Sequence, residues 1–227
     1  MIESRCGIIC SECKYKEEMN CKGCTKIDKP FWGDSCPVKS CCEGRGYEHC
    51  GECSDFPCDL LNQFAYDERE GDNGKRIETC RNWAKNQEAL KRANEVINSR
   101  KDYIGGGMEG YVVLSLINED GYPTSSTVTI SKANGVSWMT FIGAIGGNKS
   151  RRIAKNNKAS VCLASSEYNI TLVGTMEIIT DLDVKKEHWQ NNAYADWQNP
   201  QYCILRFNAE SYNIYFASDD TEVKGVL

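Results

Sequence analysis

At 227 residues with a net charge of −5, the chain has room for a small domain plus a medium one, and it lacks the basic excess that draws proteins broadly to nucleic acid. No apolar run approaches the roughly 20 residues of a membrane-crossing helix. The opening MIESRCGIIC has neither the basic stretch nor the apolar core of about 7–15 residues that marks a secretory signal. The expected setting is the cytoplasm, with neither membrane nor nucleic acid as partner.

Eleven of the fourteen cysteines precede Asp59, so the N-terminal segment is built on thiols rather than on a large apolar core. In a reducing compartment, dense cysteine spacing points to metal thiolates before disulfides. Cys10/Cys13 and Cys21/Cys24 form two Cys-x-x-Cys pairs seven residues apart, each able to place two sulfurs about 2.3 Å from a tetrahedral ion. Cys36, Cys41, Cys50, Cys53 and Cys58 offer a second set, and Cys6 precedes both. Two four-thiolate sites are expected, with the assignment of ligands to ions left open. His49 is read as a surface histidine with ligation as the alternative, and Cys42 and Cys80 as free thiols. Zinc is the expected metal, and an iron–sulfur cluster is the alternative, because four thiolates hold either. Cys6-x-x-x-Cys10-x-x-Cys13 has the three-cysteine spacing of radical enzymes that use S-adenosylmethionine. Only five residues precede it and more cysteines follow at once, which is the wrong setting for that barrel.

From Lys75 to Asp102 the chain carries no Pro or Gly, and Ile77, Cys80, Trp83, Ala84, Leu90, Ala93, Val96 and Ile97 recur at helical intervals. This predicts helix, in two pieces with a break near Asn86. The domain boundary is set there, giving residues 1–86 and 87–227. Apolar and β-branched runs then predict strands over Tyr111–Ile117, Tyr122–Ile130, Val136–Ile142, Ala159–Ala164, Asn169–Ile179 and Tyr202–Phe207, the first two joined as a hairpin by the turn NEDG. Helical pieces are expected near Asn148–Asn157 and Val184–Trp197. Antiparallel strands of this number suggest a small barrel. In IGAIGGNKSRRIAKNN, glycines followed by Lys149, Ser150, Arg151 and Arg152 at a helix start form a candidate anion cradle.

Two resemblances extend this reading. CGIICSEC, CKGC, CPVKSC and CGECSDFPCDLL, in this order, make residues 1 to about 80 resemble a bacterial and archaeal cysteine-rich family of unknown function, which supports metal binding and nothing sharper. Residues from about 88 to 215 resemble the flavin-binding split barrels of the pyridoxamine 5′-phosphate oxidase superfamily, especially its general stress protein branch. That resemblance rests on GYVVLSLINEDGYPTSSTVTI, WMTFIGAIGGNKSRRIAKNNKASVCLA, LVGTMEII and YCILRFNAESYNIY.

The second resemblance implies an antiparallel split β-barrel of α+β, mostly β, class, holding FMN at a homodimer interface. It places Ser126, Thr127 and Thr129 at the polar edge of the flavin and passes Ile142 and Gly143 near the ring or ribityl chain. Lys149 would meet the phosphate, helped by Ser150 or Arg152. Asn169 would reach the flavin, and Trp197 of the second copy would cover it. Asn148 stands where the oxidases proper carry Arg, and the substrate-gripping Arg and His near their C-terminus have no counterpart, so pyridoxamine phosphate oxidation itself is not expected. The expected function is an FMN-dependent oxidoreductase served by a nicotinamide or other diffusible donor and fused to a zinc-thiolate domain. The alternatives are a non-enzymatic flavin-binding module whose zinc domain docks a partner, and a flavoprotein fed by an iron–sulfur relay.

Overall fold

Two of the Cys-x-x-Cys pairs, Cys10/Cys13 and Cys50/Cys53, fold as tight turns. In the computed structural model, which describes residues 1–100, 110–189 and 196–227, one-turn 3₁₀ helices cover Cys10–Glu12, Cys24–Lys26 and Cys50–Glu52. The Cys13 and Cys53 N–H groups close back on the carbonyls of Cys10 and Cys50. The chain forms two compact units, Met1–Gln87 and Glu88–Leu227.

The first unit adds α1 (Tyr15–Glu18), α2 (Pro37–Gly44) and α3 (Asp59–Ala65). Its apolar core is small: Val38, Leu61, Ala65 and Ile77 are buried, with Cys6, Cys36, Cys50 and Cys58 packed against them. Gly7, at φ +92°, passes so close to the chain that an added Cβ would lie 1.9 Å from the Arg76 carbonyl oxygen, so only glycine fits. All fourteen cysteines are free thiols, with no disulfide among them.

A single helix, α4 (Lys75–Arg100), replaces the expected pair. Asn86 does not break it, because its amide folds back to donate to the Asn82 carbonyl at 3.0 Å. What reads as a break is a change of phase in the apolar stripe. Ile77 and Cys80 are buried in the first unit, whereas Ala89, Ala93 and Ile97 belong to the barrel core. In the second unit, Asn94 and Asn98 accept from Val136 N–H at 2.8 Å and Gly135 N–H at 3.0 Å, which fixes that half of the helix on the barrel.

Among the described residues, the second unit is an antiparallel eight-stranded sheet in the order β2-β1-β5-β6-β7-β4-β3, with β8 paired to β7. The strands are β1 (Tyr111–Ile117), β2 (Pro123–Thr129), β3 (Lys132–Asn134), β4 (Trp138–Ala144), β5 (Lys158–Ala164), β6 (Tyr168–Ile179), β7 (Tyr202–Phe216) and β8 (Thr221–Val226). Only Ile130 and Ser131 separate β2 from β3, at opposite ends of that order, so the path curls back on itself into a half-closed barrel. Alternation fills the inside with Leu114, Phe141, Val161, Ile170, Leu205 and Phe207. The 12-residue β6 and 15-residue β7 pair along almost their whole length, with a bulge at Val173/Gly174 that leaves Glu210 without a partner on β6. Helices α5 (Asn148–Lys155) and α6 (Leu182–His188) follow β4 and β6. The expected helix to Trp197 therefore ends at His188; residues 190–195 lie outside the described residues. No helix among the described residues is long and apolar enough to cross a membrane.

Candidate functional site

The barrel opens where β2 and β4 part. Lys132 pairs with Thr140 and Asn134 with Trp138. Continuing that register backward would set Thr129 against Gly143 and Ser126 against Gly146, but among the described residues no such ladder forms. The expected flavin residues on β2 and at the end of β4 therefore lie on strands that do not pair with each other among the described residues. Arg152 reaches across from α5, its Nη1 donating to Thr124 Oγ1 at the start of β2.

Strand parity divides the β2 residues. Ser126 lies opposite buried Leu114 and so faces the barrel interior, whereas Thr127 and Thr129 lie opposite exposed Val113 and Tyr111 and face outward. The three residues expected to line one edge thus occupy two faces. Beside Thr127, Ser115 and Ser125 share a 2.8 Å hydrogen bond on the outer face. This pair escaped sequence reading because serine in a strand carries no signal of its own. Asn169 also faces outward, accepting from Thr171 at 3.2 Å, but stands three strands from β2, about 14 Å at ordinary strand spacing.

At the start of α5, Gly147 is the N-cap and no side chain caps the first turn. Ser150 is buried and donates to the Ala144 and Gly147 carbonyls, so its hydroxyl braces the turn rather than pointing at a ligand. Arg151 is likewise spent on the Gly146 carbonyl and Asn148. Lys149 is half-buried and has no hydrogen-bond or ion-pair partner among the described residues. An uncapped helix start beside an unpaired lysine is what a phosphate requires. Trp197 is half-buried, with Lys186 Nζ 5.7 Å from its ring. His188 is buried against Thr140 Oγ1 at 3.3 Å and Trp138, so it cannot serve as a substrate clamp.

In the first unit the cysteines sort by space rather than by chain order. Cys6, Cys10, Cys13, Cys21, Cys24 and Cys36 line a cavity of about 710 Å³, together with Arg76, Lys39 and the aromatic rings of Tyr15, Phe31, Trp32 and Phe64. Cys41, Cys42, Cys50, Cys53 and Cys58 line a recess of about 20 Å³. Cys36 thus leaves the set expected for it. Cys42 and Cys80 are free thiols, as expected, and both are buried: Cys42 beside Cys50, and Cys80 under the Gly51 and Cys50 N–H groups. Burial pushes Cys6 and Cys42 up to about 11 and Cys80 up to about 12. Cys50 is raised as well, by burial first and then by the neighbouring thiols. Arg45 donates to Cys53 Sγ at 3.1 Å and to Asp55 at 2.9 Å. Among the described residues no group of three or more Cys, His, Asp or Glu side chains is arranged to hold an ion, so the two tetrahedral zinc sites expected from spacing find no support. His49 is not a ligand candidate either, both ring nitrogens being engaged within the fold.

Residues 108–214 match the family model described as "Pyridoxamine 5'-phosphate oxidase", and residues 2–63 match that described as "Protein of unknown function (DUF3795)". No curated protein matches the chain. Among solved structures, it is similar to a protein from Clostridium acetobutylicum related to general stress protein 26 of B. subtilis (pyridoxinephosphate oxidase family). The identity is 22%, over 62% of this chain and 96% of that one, with a TM-score of 0.52, and this likeness shows the split-barrel fold. General Stress Protein 26 from Bacillus anthracis str. Sterne is 18% identical over 62% and 98% of the two chains, with a TM-score of 0.46. A nimc/nima family protein from Clostridium acetobutylicum is 14% identical over 61% and 93%, with a TM-score of 0.47.

Proposed function

We propose that the barrel binds FMN at its opening and works as a homodimeric oxidoreductase supplied by a nicotinamide or other diffusible donor, and that the first unit binds metal through its thiols. The observation that carries the flavin reading is Lys149: a half-buried cation on an uncapped helix start just after β4, with no hydrogen-bond or ion-pair partner among the described residues. Lys149 and the first-turn N–H groups would hold the phosphate, while Arg152, tied to Thr124, would keep the two sides of the opening in register. Thr127 and Thr129 offer hydroxyls on the outer face for the polar edge of the ring. FMN itself would supply the electron chemistry.

The homodimer is supported by the outer face of the sheet. Tyr111, Val113, Val173 and Tyr215 are all exposed there and share one side of β1, β6 and β7 by register, an apolar surface of the kind a second copy covers. Titrating purified apo-protein with FMN while measuring mass by light scattering tests both points. A dimer taking up to one FMN per chain is expected; a monomer with no FMN affinity would refute the reading. Steady NADH or NADPH oxidation separates an enzyme from a module that only holds flavin, because no acid–base pair among the described residues of the barrel declares a substrate.

A further inference from the structure

The larger cavity of the first unit carries more than thiols. Its volume of about 710 Å³ lies within the range of about 300–1,000 Å³ that small-molecule sites occupy. The rings of Tyr15, Phe31, Trp32 and Phe64 line it as two tilted pairs, with centroids 5.2 Å apart for Tyr15/Phe31 and 6.2 Å apart for Trp32/Phe64. Phe31 and Trp32 are 40% and 53% exposed, although burying an aromatic ring is among the largest gains open to a small unit. Reduced cysteine acts as a small, polarizable apolar group with a weak donor, so the sulfurs on the lining continue this apolar surface.

One buried cation interrupts that surface. Arg76 is only 5% exposed and lines the cavity. Its Nε donates to Asp72 at 2.8 Å and its Nη2 to the Glu70 carbonyl at 3.3 Å, while Nη1 has no hydrogen-bond partner among the described residues and is not sealed from solvent. Two guanidinium N–H bonds are thus unmade, on a side chain that Asp72 holds in one position. Burial makes such donors costly to leave unpaired, and a carboxylate is the partner that matches a guanidinium in shape and charge. Lys39, the other cation on the lining, is spent on the Cys24 and Ile27 carbonyls. The acids on the lining, Asp28, Asp67 and Glu70, are all exposed, and Glu70 accepts from the Tyr15 hydroxyl at 2.9 Å. Negative charge on the lining is therefore confined to exposed side chains, and the unmet cationic donor is the buried one.

We propose that this cavity binds a small aromatic carboxylate, with its acid group on Arg76 Nη1 and its ring system among Tyr15, Phe31, Trp32 and Phe64. The site stands apart from the metal reading of the first unit, because the guanidinium and the rings, not the sulfurs, make the contacts. Binding is noncovalent, and the ligand enters as the anion. Desolvation of the rings supplies affinity, while Arg76 selects the acid over uncharged molecules of the same shape.

The test titrates the full chain, kept reduced, with naphthoate and with its uncharged amide by isothermal titration calorimetry. One naphthoate per chain is expected, with the amide bound at least about tenfold more weakly. Trp32→Ala, which removes a half-exposed ring from the lining, should weaken both ligands several-fold. Arg76→Met should bring naphthoate down to the level of the amide and leave the amide nearly unchanged. Should Arg76→Met unfold, as circular dichroism would show, the preference of the wild type for acid over amide and the loss in Trp32→Ala decide the matter together. Excess FMN should leave naphthoate bound; its displacement by FMN would place it on the barrel and overturn the assignment. Equal affinity of the wild type for acid and amide would overturn the role of Arg76 and with it the carboxylate class. Absence of binding by either compound, or binding that Trp32→Ala leaves untouched, would overturn the site.

Discussion

His49 Nε2 lies 2.9 Å from the side-chain oxygen of Gln87, while Nδ1 accepts the Gly51 N–H at 3.0 Å. An accepting Nδ1 places the proton on Nε2, so the ring donates to Gln87, whose amide donates in turn to Glu52 at 2.8 Å. The ring is fully buried and packs edge-on against Trp83 at 5.4 Å. Replacing it with alanine removes packing and strands the Gly51 donor. His49→Ala is therefore expected to destabilise the first unit by about 2–4 kcal/mol. The chains that stay folded should bind as much metal as wild type; metal lost in proportion to the substitution, without loss of stability, would make His49 a ligand after all.

Lys149→Ala is expected to weaken FMN by about 1.5–3 kcal/mol, through loss of a charge-assisted bond to phosphate, and to leave riboflavin nearly unaffected. Fluorescence titrations with both ligands decide this. Equal losses for the two would remove Lys149 from the phosphate site. Ser150→Ala should act differently, lowering barrel stability rather than phosphate discrimination, because its hydroxyl bonds Ala144 and Gly147.

Where local pattern and tertiary role coincide, the chain is readable. The alternation of Val112, Leu114 and Leu116 announces β1, and NEDG announces its turn, which Asn118 Oδ1 secures by accepting from Asp120 and Tyr122. The far half of β7 was hidden because NAES reads as a loop. In the fold Glu210 is the bulge residue there, and Gly174 opposite permits it, since a Cβ would lie 2.0 Å from the Asn208 carbonyl oxygen. The polar stretch TEVKGV hid β8, an edge strand whose buried Thr221 and Val223 alternate with exposed Glu222 and Lys224. At the site, the helix start with Lys149 was legible from glycines and charge, but the face of Ser126 depended on register. The partition of the cysteines depends on folding that brings Cys36 to Cys24 and Cys42 to Cys50, which spacing along the chain does not encode.

Arg92 joins α4 to the end of β7 within the second unit. Its guanidinium stacks 3.8 Å above the Phe216 ring and donates to Asp219 at 3.0 Å and Ser218 at 2.9 Å. Because the ring contact and the Ser218 bond do not need the ion pair, Arg92→Lys is not conservative here. Arg92→Ala should lower barrel stability by about 1–2 kcal/mol, measured by urea denaturation, with most of the loss persisting in high salt. A loss that vanishes in salt would reduce the contribution to the Asp219 pair alone.

His188 gives the barrel a pH dependence of defined sign. Burial holds its imidazole below the ordinary value, outweighing the nearby Glu187 carboxylate that opposes the shift, while Lys132 and Arg206 add to it. A group whose folded-state value is depressed binds fewer protons folded than unfolded in the window between its two values, so stability rises with pH across that window. For this histidine the barrel should hold its full stability above the ordinary imidazole value near 6.5 and lose it as the pH falls toward the folded value. Trp138 lies 5.6 Å from the ring, so tryptophan emission during thermal unfolding reports on the right place. Comparing wild type with His188→Gln between about pH 5 and pH 7.5 should show a steeper loss of stability on acidification in wild type. Parallel profiles would mean that His188 protonates equally in the folded and unfolded chains, and that the acid sensitivity of the barrel has another source.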